Sequence, residues 1–377
     1  MRIATLPSFA VADRVTRASE PLALIGAPIV EMPAHVRAAA SAALDGPLVR
    51  EPRGLPRLRA AIAADLAATF GIAADPETEL LITHGAMHGL SLTLRALLRP
   101  GDEVLVPSPA FFFDFAIEQT GARAVYVPAG ERDDWAWDVE ALRRAVTPRT
   151  TAIVVCNPNN PTGYVPDAGA VAALVEVAAE HELTIVTDDS WQRFVHDDAE
   201  YVPIAGHADR WSRIVTVTSL SKAYAFADWR IGYVLAQPAT IAAIGDLLGW
   251  DAAWVSHVNQ AAAGAAVSGP AGWWEQPLRG YQARRDRLLA AIRAAGYAAA
   301  TPRGGAFALV DCSVQQRTPA SRDELLARAG IRAIPGPAFH APEQYVRLLF
   351  GAEAPVLDEL ARRLRRLTDD PPKEPLT

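Results

Sequence analysis

The sequence predicts an α/β fold organised on a mostly parallel sheet of seven strands. Seven short β-rich runs recur near residues 80–83, 104–106, 124–127, 152–156, 184–187, 214–218 and 231–235. Helical segments at about 86–98, 111–120, 138–146 and 168–181 separate most of them, and strands alternating with helices give a parallel sheet covered on both faces. Residues able to do chemistry follow the ends of these runs, where open α/β sheets bind ligands. At 377 residues the chain can bury a full core and is expected to hold two lobes.

Composition narrows the function classes. Lys and Arg number 36 against 43 Asp and Glu, a net charge of −7, and no basic cluster stands out; this argues against a nucleic-acid partner. No apolar run reaches the length of a membrane-spanning helix. Arg2 followed by residues 3–12 loosely imitates a signal peptide, but the stretch is short, broken by Pro7 and poor in Leu, and is not read as one. Cys156 and Cys312 make no disulfide framework and fit a reduced, cytoplasmic setting. Cys156 ends an apolar run and is read as a packing residue.

In chain order, residues 1–35 are Pro-rich and irregular and include Leu24-Ile25-Gly26-Ala27-Pro28. A helix is expected at about 33–44, then a loop rich in Pro, Gly and Arg (46–54), then a helix over 55–70 that stops at Gly71. After run 80–83 comes Gly85-Ala86-Met87, opening a helix with Leu90, Leu94 and Leu97 on one face. Glycine at a helix start leaves N–H groups and room for a phosphate, although such starts are common. After 104–106 come Pro107-Ser108-Pro109-Ala110 and three aromatics, Phe111, Phe112 and Phe113, of which two are expected in the core. After 152–156 comes Asn157-Pro158-Asn159-Asn160-Pro161-Thr162-Gly163, which by itself is ordinary turn chemistry. After 184–187 comes Asp188-Asp189-Ser190-Trp191. A carboxylate at a buried strand end needs a positive partner; Asp188 is read as that carboxylate and Asp189 as a capping or surface residue.

Run 214–218 leads into Ser219-Leu220-Ser221-Lys222, with Arg230 eight positions after the lysine. A lysine there is either a surface residue or, if desolvated, an amine freed for imine chemistry. Beyond residue 236 the pattern is mostly helical, and Trp250, Trp254, Trp273 and Trp274 are read as core or dimer contacts. A long helix at about 273–295 leads to a second lobe that starts at Gly304-Gly305-Ala306-Phe307 and contains Pro335-Gly336-Pro337-Ala338-Phe339 and Val346-Arg347-Leu348-Leu349-Phe350. Arg347, flanked by apolar residues, needs an anion, either a structural carboxylate or a ligand. The tail after Asp369 is rich in Pro and charge and is expected to fray. The division expected is an N-terminal segment (1–45) packing with the small domain, a large domain (46–265) and a small C-terminal domain (266–377).

Together these motifs resemble the class I/II, fold-type I aminotransferases that depend on pyridoxal phosphate. The family's Ser-x-Ser-Lys, six residues, then Trp-Arg-x-Gly reads here Ser219-Leu220-Ser221-Lys222 and Trp229-Arg230-Ile231-Gly232. Asn157 to Gly163 matches Asn-Pro-x-Asn-Pro-Thr-Gly, and Val346 to Phe350 matches Val-Arg-Leu-x-Phe. The likeness runs from Gly26 to Arg347 with the motifs in family order. It implies a large seven-stranded domain plus a smaller α+β domain, and a homodimer with its sites at the subunit boundary. It also implies that Lys222 carries pyridoxal 5′-phosphate as an imine and moves the substrate α-proton. Asp188 then faces the pyridine nitrogen, Asn160 donates to the phenolate oxygen, and Phe111 stacks on the ring. Gly85, Ala86, Met87, Ser219 and Arg230 hold the phosphate, and Ser221 belongs with the cofactor-binding residues. Arg347 grips the α-carboxylate with two prongs, near Gly26 and Asn160. No metal is expected. The reaction implied moves an amino group between an L-amino acid and a 2-oxo acid with ping-pong kinetics, within amino-acid metabolism and biosynthesis.

Three positions depart from the family pattern. Asp228 replaces a glycine before Trp229. Val49 stands where many members have a tyrosine that reaches across the dimer, with Arg50 or Arg53 as substitutes. Trp191 replaces a tyrosine beside the phenolate oxygen; its N–H can donate one hydrogen bond but accept none. The Trp191 and Val49 departures keep two other reactions open: a carbon–sulfur β-lyase, and an oxygen-using amino-acid oxidase or hydroxylase, a group whose members carry Asp-x-Ser-aromatic where Asp188-Asp189-Ser190-Trp191 stands. A non-enzymatic sensor domain is the reading from another class; the first family motif is reached by Gly26, which leaves no room for a preceding DNA-binding segment. Side-chain specificity is not carried by any motif. Trp191, Asp228, Trp250 and His257 are its candidates.

Overall fold

The computed structural model describes residues 22–23, 31–47, 50–209, 211–224, 226–270, 272–273, 275–313 and 330–369. Gly26, Val49, Trp274 and the tail from 370 lie outside the described residues. The first strand, β1 (Leu22–Ala23), pairs in parallel with β11 (Ile331–Arg332), which ties the N-terminal segment to the C-terminal part of the chain.

The seven β-rich runs become one sheet: β2 (Leu80–Thr83), β3 (Glu103–Ser108), β4 (Arg123–Pro128), β5 (Thr150–Cys156), β6 (Thr184–Asp188), β7 (Ile214–Ser219) and β8 (Gly232–Leu235). Their order is β2-β8-β7-β6-β5-β3-β4, and β8 alone runs antiparallel to its neighbours. Every residue of β2, β3 and β8 is buried, because strands covered on both faces need continuous apolar runs rather than alternation. The chain passes outward from β3 to β4, then returns to β5 on the other side of β3 and continues to β6 and β7. This reversal opens a crevice at the carboxyl ends of β3 and β5.

Helices cover the sheet. Before it come α1 (Ala34–Asp45) and α2 (Pro56–Phe70); α2 ends at Gly71, whose φ of 67° is a left-handed cap suited to glycine. Between strands lie α3 (Ala86–Leu97), α4 (Phe113–Glu118), α5 (Val139–Ala145) and α6 (Ala168–Glu180). Of these, α4 is shorter than the 111–120 expected. Phe112, its cap, has a non-helical ψ of 55°, and Phe113 drops into the core while Phe111 stays half-buried. After β8 follow α7 (Pro238–Asp251), α8 (His257–Val267) and α9 (Glu275–Ala294).

A second sheet, ordered β12 (Ile334–Pro335), β13 (Tyr345–Leu349), β10 (Phe307–Asp311) and β9 (Ala298–Ala299), is antiparallel throughout. It packs with α9, and α10 (Ala354–Asp369) lies along α9. Three kinds of contact join it to the large sheet. Phe112 stacks on Phe339 at 5.0 Å, Ala110 N donates to Phe339 O at 2.9 Å, and Arg285 forms a 2.6 Å ion pair with Asp197. The tryptophans divide: Trp273 is half-buried and donates to Ala266 O at 3.0 Å, whereas Trp250 is 91% exposed and so is no core residue.

Candidate active site

The carboxyl ends of the central strands, the start of α3 and β13 of the second sheet surround one cavity of about 290 Å³. Ala86, Met87, Phe111, Asn160, Asp188, Trp191, Ser219, Ser221, Lys222, Arg230 and Arg347 all line it. Of the expected residues, Gly85 sits directly behind the lining, and Gly26 lies outside the described residues.

Lys222 enters from the turn after β7, which is pinned by Leu220 N to Ile231 O at 3.0 Å. Burial pushes its amine down to about 8; Arg347 and Arg230 push the same way and Asp188 opposes them. Asp188 ends β6, where it pairs with Cys156 and Val217 on the two flanking strands. Its Oδ1 accepts the Ser190 N–H at 3.0 Å. Burial raises its carboxyl, hydrogen bonds from Ser190 oppose that, and Lys222 opposes it further. Among the described residues no cation forms an ion pair with it. Such a carboxylate suits a protonated ring nitrogen.

Arg347 lies on β13, opposite Leu309 and Ile334, and is 8% exposed. Its guanidinium lies over Phe339 at 4.7 Å and Phe307 at 5.7 Å. Nη1 donates to Asn160 Oδ1 at 2.9 Å, and Nε is buried with no partner. No carboxylate pairs with it among the described residues, so the structural salt bridge left open by the sequence is not found there. Burial pushes it down to about 10. The same contact uses the carbonyl of Asn160 and leaves its NH₂ free to donate. The turn that holds Asn160 is braced by Asn159, whose side chain accepts from Thr162 Oγ1 at 2.8 Å and donates to Pro109 O at 3.3 Å.

At the other end of the cavity two glycines permit a close approach. A Cβ on Gly85 (φ 80°) would lie 2.7 Å from Arg230 Nη2, and one on Gly232 would lie 2.4 Å from Thr218 O and 2.7 Å from Gly85 C. The end of β7, the first turn of α3 and the Arg230 guanidinium therefore converge as only glycines allow. Arg230 keeps its side chain in place by donating to Ala227 O at 3.0 Å. Among the described residues Ser221 Oγ is buried without a partner. A cradle of helix N–H groups, hydroxyls and a guanidinium fits a phosphate dianion.

Two readings of the sequence change. Asp189 is neither cap nor surface residue: it is 1% exposed and accepts hydrogen bonds from Thr187 Oγ1 and from Tyr201 Oη at 2.6 Å. Adjacent strand residues face opposite sides, so Asp188 reaches the cavity and Asp189 does not. Its burial raises its carboxyl to about 7. Among the specificity candidates only Trp191 lines the cavity. Asp228 is exposed. His257 belongs to a larger apolar groove of about 780 Å³ between α1 and α8 and contacts Ala43 O at 2.9 Å. Cys156, Ser190, Ala227, Phe307 and Leu349 also line the cavity and were missed. Cys156 ends β5 and obeys the same strand-end rule as its neighbours; Phe307 and Leu349 carry no local signal, since only the docking of the second sheet brings them here.

The arrangement offers a phosphate cradle, a buried carboxylate, a desolvated amine and a carboxylate-binding arginine around one small cavity. Comparison with known proteins agrees with it. The chain is 30% identical, over 91% of its length and 90% of the relative's, to an aspartate aminotransferase of Pyrococcus abyssi. It superposes with a TM-score of 0.90 on N-succinyldiaminopimelate aminotransferase from Mycobacterium tuberculosis, 32% identical with 97% of each chain covered. It superposes at 0.87 on an aromatic aminotransferase from Pyrococcus horikoshii, 30% identical with 95% and 98% covered. The family profile described as aminotransferase class I and II matches residues 25–364. The chain therefore belongs to the class I and II aminotransferases, fold-type I enzymes that use pyridoxal phosphate.

Proposed function

We propose that the cavity carries out both halves of a transamination between an L-amino acid and a 2-oxo acid, with Arg347 gripping the α-carboxylate of each. The buried guanidinium without a carboxylate partner among the described residues is the observation that carries this reading. When bound, pyridoxal phosphate supplies a carbonyl carbon that carries the amino group and a ring that withdraws electrons. The side chains supply the rest. Arg230, Ser219, Ser221 and the N–H groups of residues 85–87 would hold the phosphate. Asp188 would keep negative charge beside the ring nitrogen, Phe111 would offer its face to the ring, and Asn160 would donate its free NH₂ to the ring oxygen. Lys222, with its amine pushed down to about 8, has a neutral fraction near pH 7 that takes the α-proton and returns it.

The test is the absorption spectrum of the holoenzyme as amino acids are added one at a time without an oxo acid. One turnover to the aminated cofactor, followed by arrest, supports transamination. Continued turnover, oxygen uptake or sulfide release would overturn it, and the responding amino acids define the substrate class.

The enzyme is read as a homodimer of amino-acid metabolism. Leu44 is 72% and Trp250 91% exposed, and the apolar groove beside α1 and α8 is lined by small residues. Exposed large apolar side chains and an apolar groove are each features of an association surface. Light scattering is expected to give twice the 40.3 kDa chain mass; a monomer at micromolar concentration would count against it. Cys156 is a free, buried thiol, which suits the cytoplasm, and cell fractionation tests this. No helix among the described residues is long and apolar enough to cross a membrane.

A further inference from the structure

The indole of Trp191 is clamped on two sides. Phe194 meets it edge-on at 4.9 Å and 78°, Phe307 at 5.0 Å and 87°, and the residue is 5% exposed. Lys222 Nζ lies 4.9 Å from the centre of its ring, within the reach of a cation–π contact. Three charged groups act on that amine from the surrounding elements. Asp188 at the end of β6 favours the ammonium, whereas Arg347 on β13 and Arg230 after β7 oppose it. The indole is an additional, uncharged group that favours the ammonium. Under the reading above, the charge of Asp188 would be taken up by the cofactor, which leaves the indole as the protein group facing the amine that still favours a proton on Lys222.

We propose that Trp191 is the positioning residue for the Lys222 amine, its ring face holding the ammonium in the cavity once the amine has taken up a proton. This rests on Lys222 being the group that moves the proton, and the experiment reads the two separately.

The composition makes the lysine visible. Of 36 Lys and Arg residues only Lys222 and Lys373 are lysine. Cofactor-free full-length protein labelled with ¹³C at lysine Cε gives two signals, assigned by Lys222→Ala. The Lys222 signal is titrated in protein carrying normal tryptophan and then mono-, di- and trifluorotryptophan, which drain the ring face of negative charge while nearly keeping its shape. The titration midpoint is expected to fall stepwise, by about half to one pH unit across the series, a three- to tenfold change in protonation constant. The chain has nine tryptophans, so the series is repeated in Trp191→Phe, where it should move nothing. In the holoenzyme, Trp191→Phe lowers kcat with little change in KM, and Trp191→Leu lowers it further. A midpoint that stays constant across the series, or a shift that persists in Trp191→Phe, overturns the proposal. Turnover retained by Lys222→Ala would instead remove the reading on which it rests, whatever the titration gave.

Discussion

Replacing Arg347 with methionine separates a substrate-binding arginine from a structural one. The side chain is 8% exposed, makes one hydrogen bond to Asn160 at 2.9 Å and rests on two phenylalanine faces. Breaking a buried ion pair leaves an uncompensated charge and costs about 3–5 kcal/mol. No such charge is left here among the described residues, and the desolvation of the guanidinium, several kcal/mol, is relieved. Against this stand one charge-assisted hydrogen bond, about 1.5–3 kcal/mol, and aromatic contacts of about 1–2 kcal/mol. Methionine keeps most of the packing volume. Stability is therefore expected to stay within about 1 kcal/mol of the parent or to rise, read as the midpoint of denaturant unfolding. Activity should behave otherwise. Losing one partner of a buried pair with a bound carboxylate costs roughly 2–5 kcal/mol, a fall in kcat/KM of about 30-fold to several thousand-fold. Cofactor affinity should fall far less than kcat/KM, because Arg347 bears on the cofactor residues only through Asn160 and takes no part in the phosphate cradle. A variant that lost 3 kcal/mol or more of stability, or kept kcat/KM within threefold, would refute the reasoning.

Other perturbations probe the rest of the site. Gly85→Ala forces a side chain into a left-handed conformation and onto Arg230 at 2.7 Å, a strain of about 1–3 kcal/mol; cofactor titration of the apoenzyme should show affinity reduced about tenfold or more, with the far-UV circular dichroism unchanged. Asp189→Asn tests the buried carboxyl beside Tyr201. Its native carboxyl is raised to about 7, above the unfolded value near 3.9, so the native state binds the extra proton and wild-type stability should fall as pH rises from about 4 through 7. The asparagine variant should lack that slope in urea unfolding measured across the range; an identical slope would mean that another group titrates.

The sequence by itself determined the large sheet and half of the site. Buried parallel strands require continuous apolar, β-branched runs, so 152–156, 184–187 and 214–218 declare themselves locally, and each delivers its chemistry within a few residues of the strand end. Asn160, Asp188 and Lys222 were legible for that reason, as was Arg230, which shares with Lys222 the short connection between β7 and β8. Tertiary structure decided what depends on contacts between distant segments. Arg347 reaches Asn160 across 187 positions because β13 belongs to a second sheet docked over the ends of the first. The same docking brings Phe307 against Trp191, and so fixes the ring that faces Lys222. Asp188 and Asp189 are alike in composition and adjacent in the chain. Only the side of the sheet each one faces made one a lining residue and the other a buried partner of Tyr201.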